Sequence, residues 1–287
     1  MSLERRRKLL PWLFLGPGLL WLLIFFLYPL LNQASVSLMT GDPEHGYTFT
    51  WAFDTYWNAI SDYKEQFGRS IVYSGVATLL CLIISFPLAY FAAFHAGRWR
   101  GLILLLIILP FFMSYVLRTV AWQLILSDDG TVVNALQRVG VLGDDERLLA
   151  TRTAVIAGIT YNFLPFMALP LYVALEKIDR RLLEAATDLY ASRATAFRKV
   201  TLPLALPGIF AGSLLTFIPA CGDFINAALL GTPRQYMIGN VIQSKFLNIL
   251  DYPTAAALSF TLMLFILIGI FLYARLLGAR NLTEAAI

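Results

Sequence analysis

The chain has 287 residues, 59% of them hydrophobic and 14% charged, with a mean hydropathy of +0.70 and a formal net charge of +4. This balance excludes an ordinary soluble globular domain and points to a protein whose solvent is the lipid bilayer. The basic residues are dispersed along the sequence, which speaks against a nucleic-acid partner.

A helix needs about 20 apolar residues to cross roughly 30 Å of hydrocarbon. Six runs satisfy this, at 11–31, 71–94, 102–126, 153–175, 202–220 and 255–273. The expected fold is therefore all-α and polytopic, with six transmembrane helices. The short alternating segments of a membrane barrel are not what these runs look like. Arg5, Arg6, Arg7 and Lys8 precede the first run as they would in a signal peptide. That run is too long, however, and lacks a small-residue cleavage site, so it reads as a retained span. Prolines lie within or beside the spans (Pro17, Pro29, Pro87, Pro110, Pro165, Pro170, Pro207 and Pro219). Each removes a backbone donor and favours a bend that neighbouring helices can accommodate.

Orientation follows from the basic residues, which stay on the cytoplasmic side of short loops. With the N-terminus inside, fourteen of the 22 basic residues lie on the inner segments, and twelve of the 18 acidic residues lie outside, among them Asp42, Asp62, Asp128, Asp144 and Glu146. Both termini are thus expected in the cytoplasm. The expected organisation is a cytoplasmic segment at 1–10, a transmembrane domain at 11–275 with a cytoplasmic loop at 176–203, and a cytoplasmic tail at 276–287.

The inventory for chemistry is thin. Two histidines, His45 and His95, build neither a metal site nor a triad without distant partners, and Cys81 and Cys221 have no paired ligand spacing. No metal and no catalytic residue is expected. The sequence has no GxxxxGK[ST] loop and so no site of that kind for ATP hydrolysis. None of the six spans holds Asp, Glu or His, which disfavours coupling to an ion gradient. Energy must then arrive through a partner protein. Arg118 is the one charged residue within a span, and leaving it in lipid is costly. It is expected to point to a loop carboxylate or a subunit interface.

The stretch EAATDLYASRATAFRKVTLPLALPG, residues 184–208, falls in the largest cytoplasmic loop. Ile178, Leu182, Ala185 and Leu189 recur at helical spacing and make one apolar stripe, with Lys177, Arg180, Arg181, Glu184 and Asp188 off it. Ser192 is placed to cap a second short helix running to Lys199, after which Pro203 and Pro207 mark the start of span five. Periodicity alone also accommodates an amphipathic connector lying on lipid headgroups.

Glu184-Ala185-Ala186, Asp188-Leu189, Ala191-Ser192 and Leu202-Pro203 resemble the EAA loop of bacterial ABC importer permeases, which reads E-A-A, three residues, G, then an apolar region ending in L-P. Tyr190 stands where that family has glycine. Because a Cβ penalises φ > 0, the turn is expected to be built differently here. The segments at 109–126, 161–179, 211–231 and 238–259 resemble the first permease subunit of spermidine/putrescine importers, and the likeness is weakest at 32–69.

The resemblance implies a type I importer permease fold in the bacterial inner membrane, without catalysis in this chain. It implies a second homologous permease subunit, two cytoplasmic ATPase subunits carrying ATP and magnesium, and an extracytoplasmic binding protein. It places ATPase coupling on Glu184, Ala185, Ala186, Asp188, Leu189 and Tyr190. In PACGDFIN, Asp223 and Phe224 can attract an ammonium by charge and cation–π contact, or Asp223 can be a helix-end carboxylate on a solvated rim. Trp122, Tyr115 and Tyr161 are further candidates for the pathway, or packing aromatics. Acidic outer loops suit a cationic solute, yet topology bias alone also explains them. The expected function is polyamine import. The alternatives are another small solute, such as an amino acid or an oxyanion, or a stand-alone carrier or channel.

Overall fold

The computed structural model describes residues 14–140, 142–143 and 146–277. The N-terminal segment 1–10, the first residues of span one and residues 278–287 lie outside them. The described chain forms α1 (Phe14–Val36), a two-stranded hairpin of β1 (Met39–Asp42) and β2 (Gly46–Phe49), α2 (Asp54–Asp62) and α3 (Lys64–Phe94). There follow α4 (Gly97–Phe112), α5 (Tyr115–Leu126), α6 (Thr131–Arg138), α7 (Arg152–Glu176), α8 (Arg180–Asp188) and α9 (Arg193–Cys221). The last elements are α10 (Ile225–Leu230), α11 (Ile238–Gln243) and α12 (Tyr252–Leu277).

Among the described residues, five helices are long and apolar enough to cross a membrane: α1, α3, α7, α9 and α12. The expected third span is not one helix. The pair Gly97–Phe112 and Tyr115–Arg138 is bent by 96°. Pro110 opens a tight 3-10 turn, Met113 is extended (φ −81°, ψ 151°) and Ser114 follows it out of helical geometry (ψ 136°). With those two residues out of the helical region, α5 starts in a new direction. Helices run through Pro87, Pro165, Pro170, Pro207 and Pro219 without a break. Upstream of Pro29 and Pro203 the helix widens into single π turns, Leu23–Leu27 and Phe197–Thr201. A widened turn relieves the clash between a proline ring and the carbonyl four residues earlier.

Contacts divide the described residues into two compact units, those up to 62 with 242–263, and those from 63 to 241 with those from 264 onward. In the first, the hairpin pairs Met39 with Phe49 and Asp42 with Gly46. Gly41 at φ +141° is packed so tightly on Gly46 and Tyr47 backbone that no Cβ fits. The Tyr47 hydroxyl donates to the Leu250 carbonyl at 2.5 Å, and Lys245 pairs with Asp251 at 3.0 Å.

The second unit is built on α3, α7 and α9. Lipid tails offer no hydrophobic drive for helix association, so close packing of small residues must supply it. Along α3 the buried positions Ser70, Ser74, Ala77, Cys81, Ser85, Ala89 and Ala92 make such a small-residue stripe. Gly212 on α9 plays the same part: a Cβ there would stand 2.8 Å from Met167 Sδ and 3.1 Å from the Met167 carbonyl oxygen. Two apolar clusters result, one around Ala77, Ile159, Phe163 and Met237, the other around Cys81, Met167, Leu171 and Ile209.

Candidate functional site

The break between α4 and α5 carries Tyr115 and Arg118 into the interior of the second unit. There, Tyr115 meets the turn after α9. The Tyr115 hydroxyl donates to Asp223 Oδ2 at 2.9 Å and accepts from Asn226 Nδ2 at 2.7 Å. Asn226 Nδ2 also donates to Asp223 Oδ2. Asp223 Oδ1 accepts from the amides of Ile225 at 2.9 Å and Asn226 at 3.3 Å, so the carboxylate starts α10 as well. Asn226 Oδ1 accepts from Asn162 Nδ2 at 3.2 Å and Thr119 Oγ1 at 3.5 Å. Asn240 fixes the same turn by donating to the Phe224 carbonyl at 2.7 Å.

Asp223 is therefore no residue of a solvated rim: it is 7% exposed and fully engaged. It lies beyond the end of α9. Burial raises its pKa above the ordinary carboxylate value, and the hydrogen bonds from Asn226, Tyr115 and the backbone only partly oppose this. Phe224, next to it, is exposed at its surface. Trp122 and Tyr161 meet edge to face with centroids 5.4 Å apart, and both are partly buried. Tyr115, Asp223 and the Asn226 amide thus meet in one cluster, with Trp122 packed against the apolar cluster beneath it.

Arg118 does not reach a carboxylate. It is 4% exposed, and its Nε and Nη1 have no hydrogen-bond partner. Its guanidinium carbon lies 5.6 Å from the centroid of the Tyr115 ring and 5.8 Å from that of Phe111. The rings on either side of the bend receive the charge in place of an anion. Phe111 also lines an open groove of about 880 Å³ with Ile108, Phe166, Leu169, Val173 and Leu215, mostly apolar but bordered by Lys177 and Asp179.

Asn162, Asn226 and Thr119 were not singled out by sequence reasoning. The signal was present, since an amide inside an apolar run must find a partner within the bundle.

The loop at 176–203 is the second place of interest. Asp179 Oδ1 accepts from the Arg181 amide and starts α8. The end of α8 is a Schellman motif: the Ala191 amide donates to Ala186 and the Tyr190 amide to Thr187. Its left-handed residue is Tyr190, at φ +59°. The turn is thus built as glycine would build it, with the tyrosine accepting the strain, and not differently as its Cβ suggested. Tyr190 is 98% exposed, beside Leu189 at 81%. Of the apolar stripe, Ile178 is buried, while Leu182, Ala185 and Leu189 are left uncovered by their own chain. Ser192 caps the next helix through the Thr195 amide at 3.2 Å, as its position predicts. That helix does not stop at Lys199 but passes through the π turn into span five, giving one helix from Arg193 to Cys221. Phe197 anchors its start against Phe86, with centroids 5.6 Å apart, and Arg180 reaches the carbonyls of Ala93 and Phe94.

A family model of binding-protein-dependent transport system inner membrane components matches residues 9–279. The chain belongs to this family. This permease is 40% identical over 256 residues to the spermidine/putrescine transport system permease protein PotB of Haemophilus influenzae, covering 89% of this chain and 90% of that one. It is 38% identical over 256 residues to the protein of the same description from Escherichia coli K12, covering 89% and 93%. Its fold matches a chain in the crystal structure of a bacterial ABC transporter involved in the import of the acidic polysaccharide alginate, with a TM-score of 0.72, 22% identity and 96% of each chain covered. The permease is thus a multi-pass inner-membrane component of an ABC importer.

Proposed function

We propose that this permease forms part of the membrane pathway of an ATP-driven importer for polyamines of the spermidine and putrescine class. The observation that carries the reading is the likeness, over 89% of the chain, to permeases described as transporting those two solutes. The buried cluster is chemically compatible with it. Asp223 supplies a negative charge, and Tyr115, Phe224, Trp122 and Tyr161 supply the aromatic surfaces on which an alkylammonium rests.

In this reading a second homologous permease completes the pathway, and an extracytoplasmic binding protein delivers the solute. Two cytoplasmic ATPase subunits bind ATP and magnesium and dock on α8, with both chain termini on their side of the membrane. Ala185 and Ala186, the small neighbours of Glu184 and Asp188, allow these carboxylates to insert closely into a partner cleft. Leu189 and Tyr190 offer the exposed apolar tip. The motion of the ATPases passes into α9 as a rigid-body displacement, and this chain does no chemistry of its own.

The test is uptake of radiolabelled spermidine and putrescine in cells carrying the whole transport operon, comparing wild type, a deletion of this chain and Glu184→Ala. The expected outcome is that uptake needs the chain and falls strongly in Glu184→Ala. Intact uptake in the deletion strain overturns the substrate, and normal uptake in Glu184→Ala overturns the coupling role.

A further inference from the structure

Among the described residues, the buried charged side chains are Arg118 and Asp223, and no ion pair joins them. Opposite charges removed from water ordinarily meet directly, because each unpaired ion keeps its desolvation cost. Here Tyr115 stands between them. Its hydroxyl serves Asp223 at 2.9 Å, and its ring face, with that of Phe111, receives the Arg118 guanidinium. Two buried nitrogens of that guanidinium, Nε and Nη1, have no acceptor.

Aromatic faces around a cation are the arrangement that holds an alkylammonium, and here a carboxylate lies at the hydroxyl end of one of those rings. The cation present is the chain's own. Phe111 also lines the open, mostly apolar groove, so the niche lies one side chain away from it. Phe111 precedes the 96° bend, while Tyr115 and Arg118 follow it, so the niche is built from both sides of the bend.

We propose that Phe111, Tyr115 and Asp223 form a subsite for one primary ammonium group of the transported cation, and that Arg118 occupies it as a tethered stand-in until the substrate displaces it. The inference rests on the polyamine reading above. The unmet donors of Arg118 make its resting position weakly held, so an incoming ammonium that takes the place of the Tyr115 hydroxyl or the Asn226 amide on Asp223 can replace it. Between transport cycles the stand-in screens Asp223 and denies the niche to small inorganic cations. Removing the tethered charge should therefore open a leak, and a shorter tethered cation should close it again.

The experiment uses the complete transporter, with its ATPase and binding protein, in proteoliposomes. Leak of rubidium and putrescine is measured without ATP, and spermidine uptake with ATP. Arg118→Met is expected to raise the leak on the order of tenfold by removing the positive barrier, and Arg118→Lys to restore tightness. An assembled Arg118→Met transporter with wild-type leak overturns the proposal. A second measurement needs no variant: phenylglyoxal modification of Arg118 in the wild type, read by mass spectrometry. The rate is expected to rise several-fold when spermidine-loaded binding protein and ATP are added, and equal rates overturn the stand-in role. If the wild type imports no polyamine while Arg118→Met leaks, the substrate reading fails and the stand-in survives for another cation.

Discussion

The Tyr115 hydroxyl donates to Asp223 across 108 residues of sequence, joining the start of α5 to the turn after α9. The same carboxylate also accepts two backbone amides and the Asn226 side chain. One side chain thus sets both the local turn and the long-range packing.

Asp223→Ala removes every one of these acceptors at once. Each buried donor left unmet costs about 1–3 kcal/mol, so the variant is expected to melt well below the wild type. Asp223→Asn keeps an acceptor oxygen and is expected to lose less. Thermal unfolding of the purified complex gives the order, and equal melting of the two variants contradicts it.

The raised pKa of Asp223 bears on transport. Its charged fraction falls as pH drops through a value above the ordinary carboxylate range. Tyr115 and Asn226 face it directly, and Arg118 faces it only through Tyr115. If the ionised form receives the ammonium, uptake in the wild type falls on acidification earlier than an ordinary carboxylate would dictate. Asp223→Asn should lower uptake at every pH and flatten that profile. A variant profile with the wild-type midpoint assigns the pH dependence to another group.

Tyr190→Gly tests the strain in the loop. A non-glycine residue in the left-handed region costs about 1–2 kcal/mol, and glycine returns about 0.5–1 kcal/mol of that as entropy lost on folding. The net expectation is a modest stabilisation, seen as slower amide hydrogen exchange at Tyr190 and Ala191. Tyr190→Val, β-branched, should exchange faster than the wild type. Faster exchange in Tyr190→Gly contradicts the strain.

Gly212→Ala places a methyl group against the Met167 carbonyl, which cannot move aside as a side chain can. Overpacking of this kind costs typically 1–3 kcal/mol. The expected result is a lowered melting temperature and reduced yield of folded protein, while an unchanged melting temperature shows that α7 and α9 can separate freely.

Asp251 titrates the other way. Burial raises its pKa, but the hydrogen bonds from Lys245 and Thr254 outweigh burial and hold it below the ordinary carboxylate value. Its stabilising contribution is present above the unfolded pKa and is lost as pH falls through the folded one. Because the pair is partly solvated, Asp251→Asn should cost no more than about 1 kcal/mol at neutral pH. The difference should vanish in acid, and melting curves at both pH values provide the check.

The membrane class and the apolar runs were legible in the sequence, because apolar length is a direct consequence of bilayer thickness, and the family was legible in the resemblance carried by residues 184–203. Helix ends were less so. α3 begins at Lys64, two turns before its apolar run, stabilised by Glu65 and Arg69 one turn apart at 3.1 Å. The bend after Pro110 was hidden because both halves are equally apolar, and hydropathy does not record direction. The polar cluster was half legible: Tyr115 and Asp223 stood out by chemistry, but only folding brings Asn162 and Asn226 to them. Arg118 was recognised as costly, yet its resolution by ring faces could not be read from charge counting. Tyr190 was recognised as a departure, and the Schellman hydrogen bonds explain why it had to adopt the left-handed turn.

The π turn at Phe197–Thr201 has a consequence for phase. It holds one residue more than an α turn, and each residue advances a helix by about 100°. The face that α9 presents at Arg193–Ala196 is therefore out of step with the face it buries at Ala205, Ile209 and Gly212. Deleting a single residue within that turn would leave both ends helical and every cap intact, yet swing the loop around the helix axis by about a quarter of a revolution. The azimuth of the loop is thus encoded in one supernumerary residue.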